Sequence, residues 1–398
     1  MTVFRSIGFW VVRLRFLVLA MGVLGVFYEK YVLHPNDYLF FEYFARTVTS
    51  AHGYTGGWEK AGHIYSTLPV LQVGPPGLWA AVPFQLLTPA HSNLASSLAM
   101  MFALVPALFL IESIARHHYP AGPHLGPYTL MAGLVLIAPW ENLAVRYMHL
   151  DDVLVYLCAL GSIRFIQSGR AAPAALLMGT ATATKPWAIA LVPVLMALPR
   201  GRRPTAGLVW IVTFLFWWLP FLLIEPNTFN ELSQRPMPIV PGSSWYSFGV
   251  HGDTSQQLCR ASSCYYAAYS WMRSLMFLVS AGLAAAAVLR GRWLAAPLIG
   301  LAARCALDTQ AWNYYAVGPV LFALLWDMTQ GHRFPRWTVA ALVLEYAGVT
   351  LGNGFVSGMC RTFFFVLVTV VLVIRRRQDH QPMTEVSQAT RAGGLVSV

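Results

Sequence analysis

The sequence predicts an all-α fold, a polytopic transmembrane helical bundle of about 11–13 membrane helices, some of them half-length. Three observations predict it. The chain of 398 residues is 57% hydrophobic and only 11% charged, which leaves too little polar surface to cover a soluble globule of that size. Runs of roughly twenty apolar residues, the length that crosses a bilayer as a helix, recur from end to end. Between them lie short arginine clusters, Arg200/Arg202/Arg203, Arg290/Arg292, Arg333/Arg336 and Arg375/Arg376/Arg377. Loops that stay on the cytoplasmic side carry such clusters. The net charge of +11 is therefore topological and gives no reason to expect a nucleic-acid partner.

Arg5, Arg13 and Arg15 precede the first apolar run, as in a signal peptide, but no small-residue cleavage pattern follows, so 14–33 reads as an uncleaved first span. The loop 34–68 comes next. Pro35-Asn36-Asp37 reads as a helix start, followed by Tyr38, Phe40, Phe41, Tyr43 and Phe44, with Glu42 and Arg46 at i,i+4 spacing. An aromatic amphipathic helix of this kind lies in the membrane interface and would hold Asp37 at headgroup level. Further spans are expected near 69–88, 93–115, 127–140, 150–167, 173–199, 205–224, 267–289, 294–311, 314–330, 338–356 and 359–374. Several are short or broken: 127–140 is too short to cross alone, Val73-Gly74-Pro75-Pro76-Gly77 interrupts 69–88, and Lys185 with neighbouring prolines interrupts 173–199. Broken helices persist in membranes only when buried in protein or lining a wet cavity.

The charge rule places 34–68, 140–152, 225–266 and 304–313 outside. Plain crossings throughout would put His149–Asp152 inside, against the basic flanks Arg116 and Arg164/Arg170. The conflict disappears if 173–199 is a half-depth hairpin and 69–88 is re-entrant or fused with its neighbour, and this is the topology we expect. The membrane domain then covers 1–375, with large extracytoplasmic loops at 34–68 and 225–266, and a polar cytoplasmic tail, 376–398, is expected to be disordered. Cys158, Cys305 and Cys360 fall in or near spans as small hydrophobes. Cys259 and Cys264 share a polar loop, where a disulfide and free thiols are equally open.

Four polar clusters lie at or beside apolar runs: Asp37 with Glu42; His149-Leu150-Asp151-Asp152; Thr184-Lys185-Pro186-Trp187; and Arg304, Asp308, Asn313, Tyr314 and Tyr315. Each has a plainer reading. Asp151 or Asp152 can simply favour a helix N-terminus, and Arg304 and Asp308, four apart, can be a structural salt bridge. Lys185 is harder to dismiss, because a lysine within a span costs roughly 2.5–3.5 kcal/mol on insertion scales and marks an anion or substrate path. Asp37, a carboxylate at the outer lip of a membrane protein, suits chemistry on a lipid-anchored substrate.

Taken together, Asp37 after the first span, Gly53-Tyr54 and Tyr65 leading into a Pro-Pro second span, His-Leu-Asp-Asp, Thr-Lys-Pro-Trp, and Leu307-Asp308 before Asn313-Tyr314-Tyr315 resemble the GT-C superfamily. Within it the chain is most similar to the bacterial polyprenyl-phosphate-sugar-dependent mannosyl- and arabinosyltransferases of the mycolic-acid bacteria and their relatives. The resemblance covers about residues 1 to 375, and its specificity lies in the order and spacing of short motifs. It departs in the lone Asp37, preceded by Asn36 where many relatives carry paired acids, and in lacking a C-terminal periplasmic or sugar-binding domain, so it leaves the acceptor open.

The resemblance implies an inverting, single-displacement transfer of one sugar, mannose or arabinofuranose in class, from a polyprenyl-phosphate donor to a lipid-linked or cell-envelope glycan, on the outer face of the cytoplasmic membrane. Asp37 is the expected base. Lys185 and Arg304, with His149 as hydrogen-bond donor or proton carrier, are expected at the donor phosphate. Asp151, Asp152, Asp308, Asn313, Tyr314 and Glu42 are expected at the sugar or acceptor. A divalent metal is compatible with the cluster, but nothing requires one. The rival reading is a transporter or flippase for a lipid-linked or anionic solute, which broken helices and buried charges suit equally. The absence of repeat symmetry and the interfacial setting of Asp37 weigh against it.

Overall fold

The computed structural model describes residues 10–31, 38–50, 54–68, 71–120, 124–233, 237–260, 263–331, 334–351 and 353–374. Asp37, the helix start expected at 35–37 and the tail 376–398 lie outside the described residues. The described chain is helical almost throughout, as expected. Its strands form one antiparallel hairpin, β1 (Asp253–Arg260) with β2 (Ser263–Ala267).

Among the described residues, five helices are long and apolar enough to cross a membrane: Ser92–His118, Leu125–Arg146, Arg200–Ile224, Ser270–Leu289 and Gly354–Ile374. Their outward faces carry large apolar side chains. On Arg200–Ile224, Leu208, Val212, Phe216, Leu219 and Leu223 are all exposed, whereas Asp151, Asp152, Lys185 and Arg304 are buried. Water would not tolerate that inversion and hydrocarbon demands it. The chain is thus a membrane-embedded helical bundle.

One expected span needs correction. The run at 127–140 is not too short, because the helix Leu125–Glu141 continues without a break through a π-helical turn, Asn142–Arg146, whose polar residues hid its length. Residues 71–88, within the stretch expected to be re-entrant or fused with its neighbour, form no crossing helix. The chain makes two short helices, Pro75–Trp79 and Val82–Leu87. Gly74 lies so close to the hairpin described next that a Cβ there would run into the Ala183 carbonyl, and its N–H donates to Thr184 O at 2.7 Å.

The run 173–199 is a hairpin, though a deeper one than expected. Its first leg is the helix Ala171–Thr184 and its second the 3₁₀ helix Pro186–Ala197, where Pro186 and Pro193 contribute no N–H to an α-helical ladder. Lys185, in extended conformation, is the tip. At the usual rises the legs are about 21 and 24 Å long, well beyond half of a ~30 Å hydrocarbon layer. The open ends meet, since the Arg202 guanidinium donates to the Gly169 carbonyl.

This hairpin sorts the bundle into two ends. Arg164 closes the helix Leu150–Gln167 that begins with Asp151 and Asp152. Arg290 and Arg292, bonded to the Val373 and Val371 carbonyls, precede the helix Ala296–Leu307, whose last turn bears Arg304. Arg164, Arg202, Arg290 and Arg292 therefore gather at one end, and three of the polar clusters singled out in the sequence gather at the other.

The first-loop helix Leu39–Thr49 is present, but its apolar face does not rest on lipid. Phe41, Phe44 and Ala45 are buried in protein, with Phe44 against Trp79 and Phe221 at centroid distances of 5.5 and 6.1 Å. In the second large loop Cys264 is disulfide-bonded, and the register of the β-hairpin sets Cys259 directly across from it. Cys158, Cys305 and Cys360 are free.

The two-ended arrangement predicts opposite accessibility for two exposed positions. In a Cys360→Ala background with the hairpin disulfide kept, Gln256→Cys should react with an impermeant maleimide on intact spheroplasts, and Gly201→Cys only after permeabilisation. Labelling of both from the same side would refute the arrangement.

Candidate functional site

The site begins at a strained backbone. After the π-helical turn Asn142–Arg146, Met148 has φ 48°, the left-handed region that β-carbon contacts disfavour. The surroundings hold it there: Met148 is fully buried, and His149 N–H donates to Leu143 O at 3.0 Å. The kink turns the chain from the end of one helix into the start of the next, Leu150–Gln167. Asp151 and Asp152 therefore fall in a buried first turn.

These carboxylates do not cap the helix in the ordinary sense; they face the tip of the broken hairpin. Lys185 Nζ lies 2.6 Å from Asp151 Oδ2 and 3.9 Å from Asp152 Oδ2. His149 Nδ1 lies 3.4 Å from Asp151 Oδ1 and 3.8 Å from Asp152 Oδ2. Trp187, two residues beyond the lysine, donates its indole N–H to Asp152 Oδ1 at 3.2 Å. The Gly-Pro-Pro-Gly turn forms the adjoining wall: a Cβ on Gly77 would sit 3.0 Å from Asp151 Cβ and 3.4 Å from Thr184 Cγ2. Tyr65 pins that turn by donating to Val73 O at 2.9 Å.

Arg304 lies on the other side of Trp187. Its guanidinium stacks 3.8 Å from the Tyr315 ring centroid and 4.7 Å from that of Trp187, and Nη2 is 3.6 Å from Asp308 Oδ2. Tyr314 stacks on His149 at 4.1 Å. Asp308 Oδ1 accepts the Gln310 N–H at 3.0 Å, and Gln310 Oε1 accepts the Tyr315 hydroxyl at 3.3 Å. The loop is tied down from outside, because buried Arg361 donates to Gln310 O at 3.4 Å and Trp312 O at 3.1 Å.

Three of the four clusters picked from the sequence thus meet: His149/Asp151/Asp152, Lys185, and Arg304/Asp308/Tyr314/Tyr315. Asn313 opens the short 3₁₀ turn Asn313–Ala316 and is half-buried. Glu42 stands apart, its carboxylate occupied by Arg46 at 2.5 Å on the first-loop helix. Asp37 cannot be placed, since it lies outside the described residues. Trp187, the last residue of Thr-Lys-Pro-Trp, carries no sign in the sequence of the contacts it makes. It joins two clusters through different faces of one indole, and only the fold reveals this. Arg361 gave no signal in sequence beyond being a charge inside an apolar run.

The cluster sets three carboxyl groups, Asp151, Asp152 and Asp308, around two cations, Lys185 and Arg304. Such a network is stable only while each charge keeps its partner. One imidazole and two carboxylates also make up a donor set suited to a divalent cation, with ligand atoms of His149, Asp151 and Asp152 all within 4.8 Å of one another. The Lys185 ammonium competes for the same Asp151 oxygen.

Comparison of the chain with protein-family models, with curated proteins and with solved structures finds no match.

If the Lys185–Asp151 contact holds the site together, Lys185→Met should cost about 3–5 kcal/mol by leaving buried carboxylates unpaired. The double variant Asp151→Asn/Lys185→Met should recover part of that loss. Thermal unfolding in detergent around this cycle measures the coupling, and strictly additive effects would show that there is none.

Proposed function

We propose that the chain is an integral membrane glycosyltransferase that moves one sugar, of the mannose or arabinofuranose class, from a polyprenyl-phosphate donor to a lipid-linked or cell-envelope glycan. The supporting observation is the buried cluster of carboxylates, imidazole, ammonium and guanidinium at the end of the bundle opposite the arginine-bound loops. With the arginine end cytoplasmic, the cluster faces the extracytoplasmic side of the cytoplasmic membrane, where a lipid-anchored donor can reach it laterally.

The reaction is an inverting displacement. The acceptor oxygen bonds to the anomeric carbon, the bond from that carbon to the phosphate oxygen breaks, and the acceptor proton passes to a base while polyprenyl phosphate leaves. Asp37 is the proposed base, on its position in the sequence alone. Lys185 and Arg304 are the cations for the leaving phosphate, with Asp151 and Asp308 as their resting partners. Asp152, held by Trp187, and Tyr314, stacked on His149, are placed to orient sugar hydroxyls. No step here passes through a metal.

A transporter shares one feature, the helix break at Lys185-Pro186. A solute site built on broken helices belongs near mid-depth; Lys185 instead caps the tip of a hairpin, at one end of the bundle. Purified protein given radiolabelled polyprenyl-phosphate sugar and crude lipid acceptor in detergent should form a glycosylated product, and a transporter would form none. Asp37→Asn should lower turnover at least about a hundredfold with expression unchanged, in the range a general base supplies. Near-normal turnover would remove Asp37 from the reaction.

A further inference from the structure

The end of the bundle away from the cluster carries a second polar assembly that the proposed transfer does not use. Glu112, on the span Ser92–His118, has a nearly inaccessible carboxylate held by two arginines. Arg15 Nε donates to its Oε2 at 2.7 Å, and Arg15 Nη2 to Oε1. Arg116 donates to Oε1 through Nε at 2.8 Å and Nη2 at 2.5 Å. A third arginine, Arg164, reaches across from the helix Leu150–Gln167 and bonds Ser113 Oγ at 3.2 Å. Three guanidiniums against one carboxylate leave two positive charges in excess.

These groups line an open cavity of about 340 Å³ together with Phe16, Phe109 and His117. The two phenylalanines are its apolar wall: they meet edge to face at 5.7 Å, Arg15 lies 4.7 Å over Phe16, and Phe109 is 57% exposed on a span that faces lipid. Arg116 lies within the last turn of that span and Arg15 begins the helix Arg15–Tyr31, which puts the cavity at the end of the span, where hydrocarbon gives way to headgroups.

A structural salt bridge needs one arginine for Glu112; a second satisfies it twice, and Arg164 does not touch it. An aqueous anion needs no aromatic wall open to the bilayer. We infer that this cavity binds the phosphodiester headgroup of an anionic glycerophospholipid from the leaflet on the arginine side, with Arg116 and Arg164 on the phosphate and Phe16 and Phe109 against the upper acyl chain. Basic pockets between membrane helices recognise anionic lipids in this way, and planar guanidiniums suit phosphate oxygens. The inference is independent of the transfer reaction.

Native mass spectrometry of the detergent-purified full chain, titrated with phosphatidylglycerol or phosphatidylcholine, tests it. The wild-type protein should bind the first phosphatidylglycerol at least about twentyfold more tightly than phosphatidylcholine. Arg164→Gln, which leaves the Glu112 pairs intact, should lower that preference about fivefold, and Arg116→Gln/Arg164→Gln by about as much again, at the rate of about fivefold per interfacial basic residue. Glu112→Gln should keep or sharpen the preference, because it frees two guanidiniums. Unfolding temperatures identify any variant that has lost its fold, and Arg164→Gln, which removes no bond to the buried carboxylate, is the variant on which the test turns. Equal affinities for the two lipids, or an unchanged preference in folded Arg164→Gln, would overturn the site. Displacement of phosphatidylglycerol by millimolar inorganic phosphate would overturn the assignment to a lipid.

Discussion

The contact on which the arrangement depends is the ion pair between Lys185 and Asp151, 2.6 Å long and buried at the tip of a hairpin that runs most of the bundle's depth. A lysine in that position is costly, and two carboxylates, an imidazole and an indole N–H are arranged around it. Removing a pair of charges from water stabilises nothing by itself. It does fix geometry, because the lysine is satisfied only when the helix start at Leu150 and the break after Thr184 stand opposite each other. The Gly74–Gly77 turn is drawn into the same place by backbone contact with Thr184 and by the missing side chains of its glycines.

Around this pair the bundle is organised by its solvent. Large apolar side chains face outward along the spans as well as filling the core, and the ionisable cluster lies inside. Asp151, Asp152, Lys185, Arg304 and Asp308 lie where helices start, stop or change type, beside a left-handed Met148, a π-helical turn before it and a 3₁₀ leg after Lys185. Irregular backbone frees polar groups, and in a membrane these must be satisfied by side chains brought from elsewhere. That is a physical reason for the irregular elements and the ionisable cluster to coincide.

The two ends of the bundle are chemically different. One carries carboxylates balanced against fewer cations, the other guanidiniums in excess around a single glutamate. Each helix that bears an acid at one end and an arginine at the other contributes to both, so orientation and site placement are not separate properties of the chain.

The sequence by itself determined that the protein is membrane-embedded and helical, since those properties follow from composition, run length and the spacing of arginines. It also marked out His149, Asp151, Asp152, Lys185, Arg304 and Asp308, because ionisable residues beside apolar runs are conspicuous wherever they fall. What it could not decide was contact across the chain. Helical spacing relates residues three or four apart, whereas Lys185 meets Asp151 from 34 positions away, Tyr314 meets His149 across many more, and Trp187 bridges Asp152 and Arg304 only because the hairpin packs against both the helix Leu150–Gln167 and the helix Ala296–Leu307. Local spacing explained Glu42, which pairs with Arg46 and takes no part in the cluster. Hydropathy misjudged 127–140 and 69–88 for opposite reasons. Polar residues inside a continuous helix shortened the first, and prolines inside an apolar stretch broke the second. Apolar run length reports the cost of contact with lipid, and backbone continuity is set by where each N–H finds its acceptor, so only the tertiary structure could separate the two.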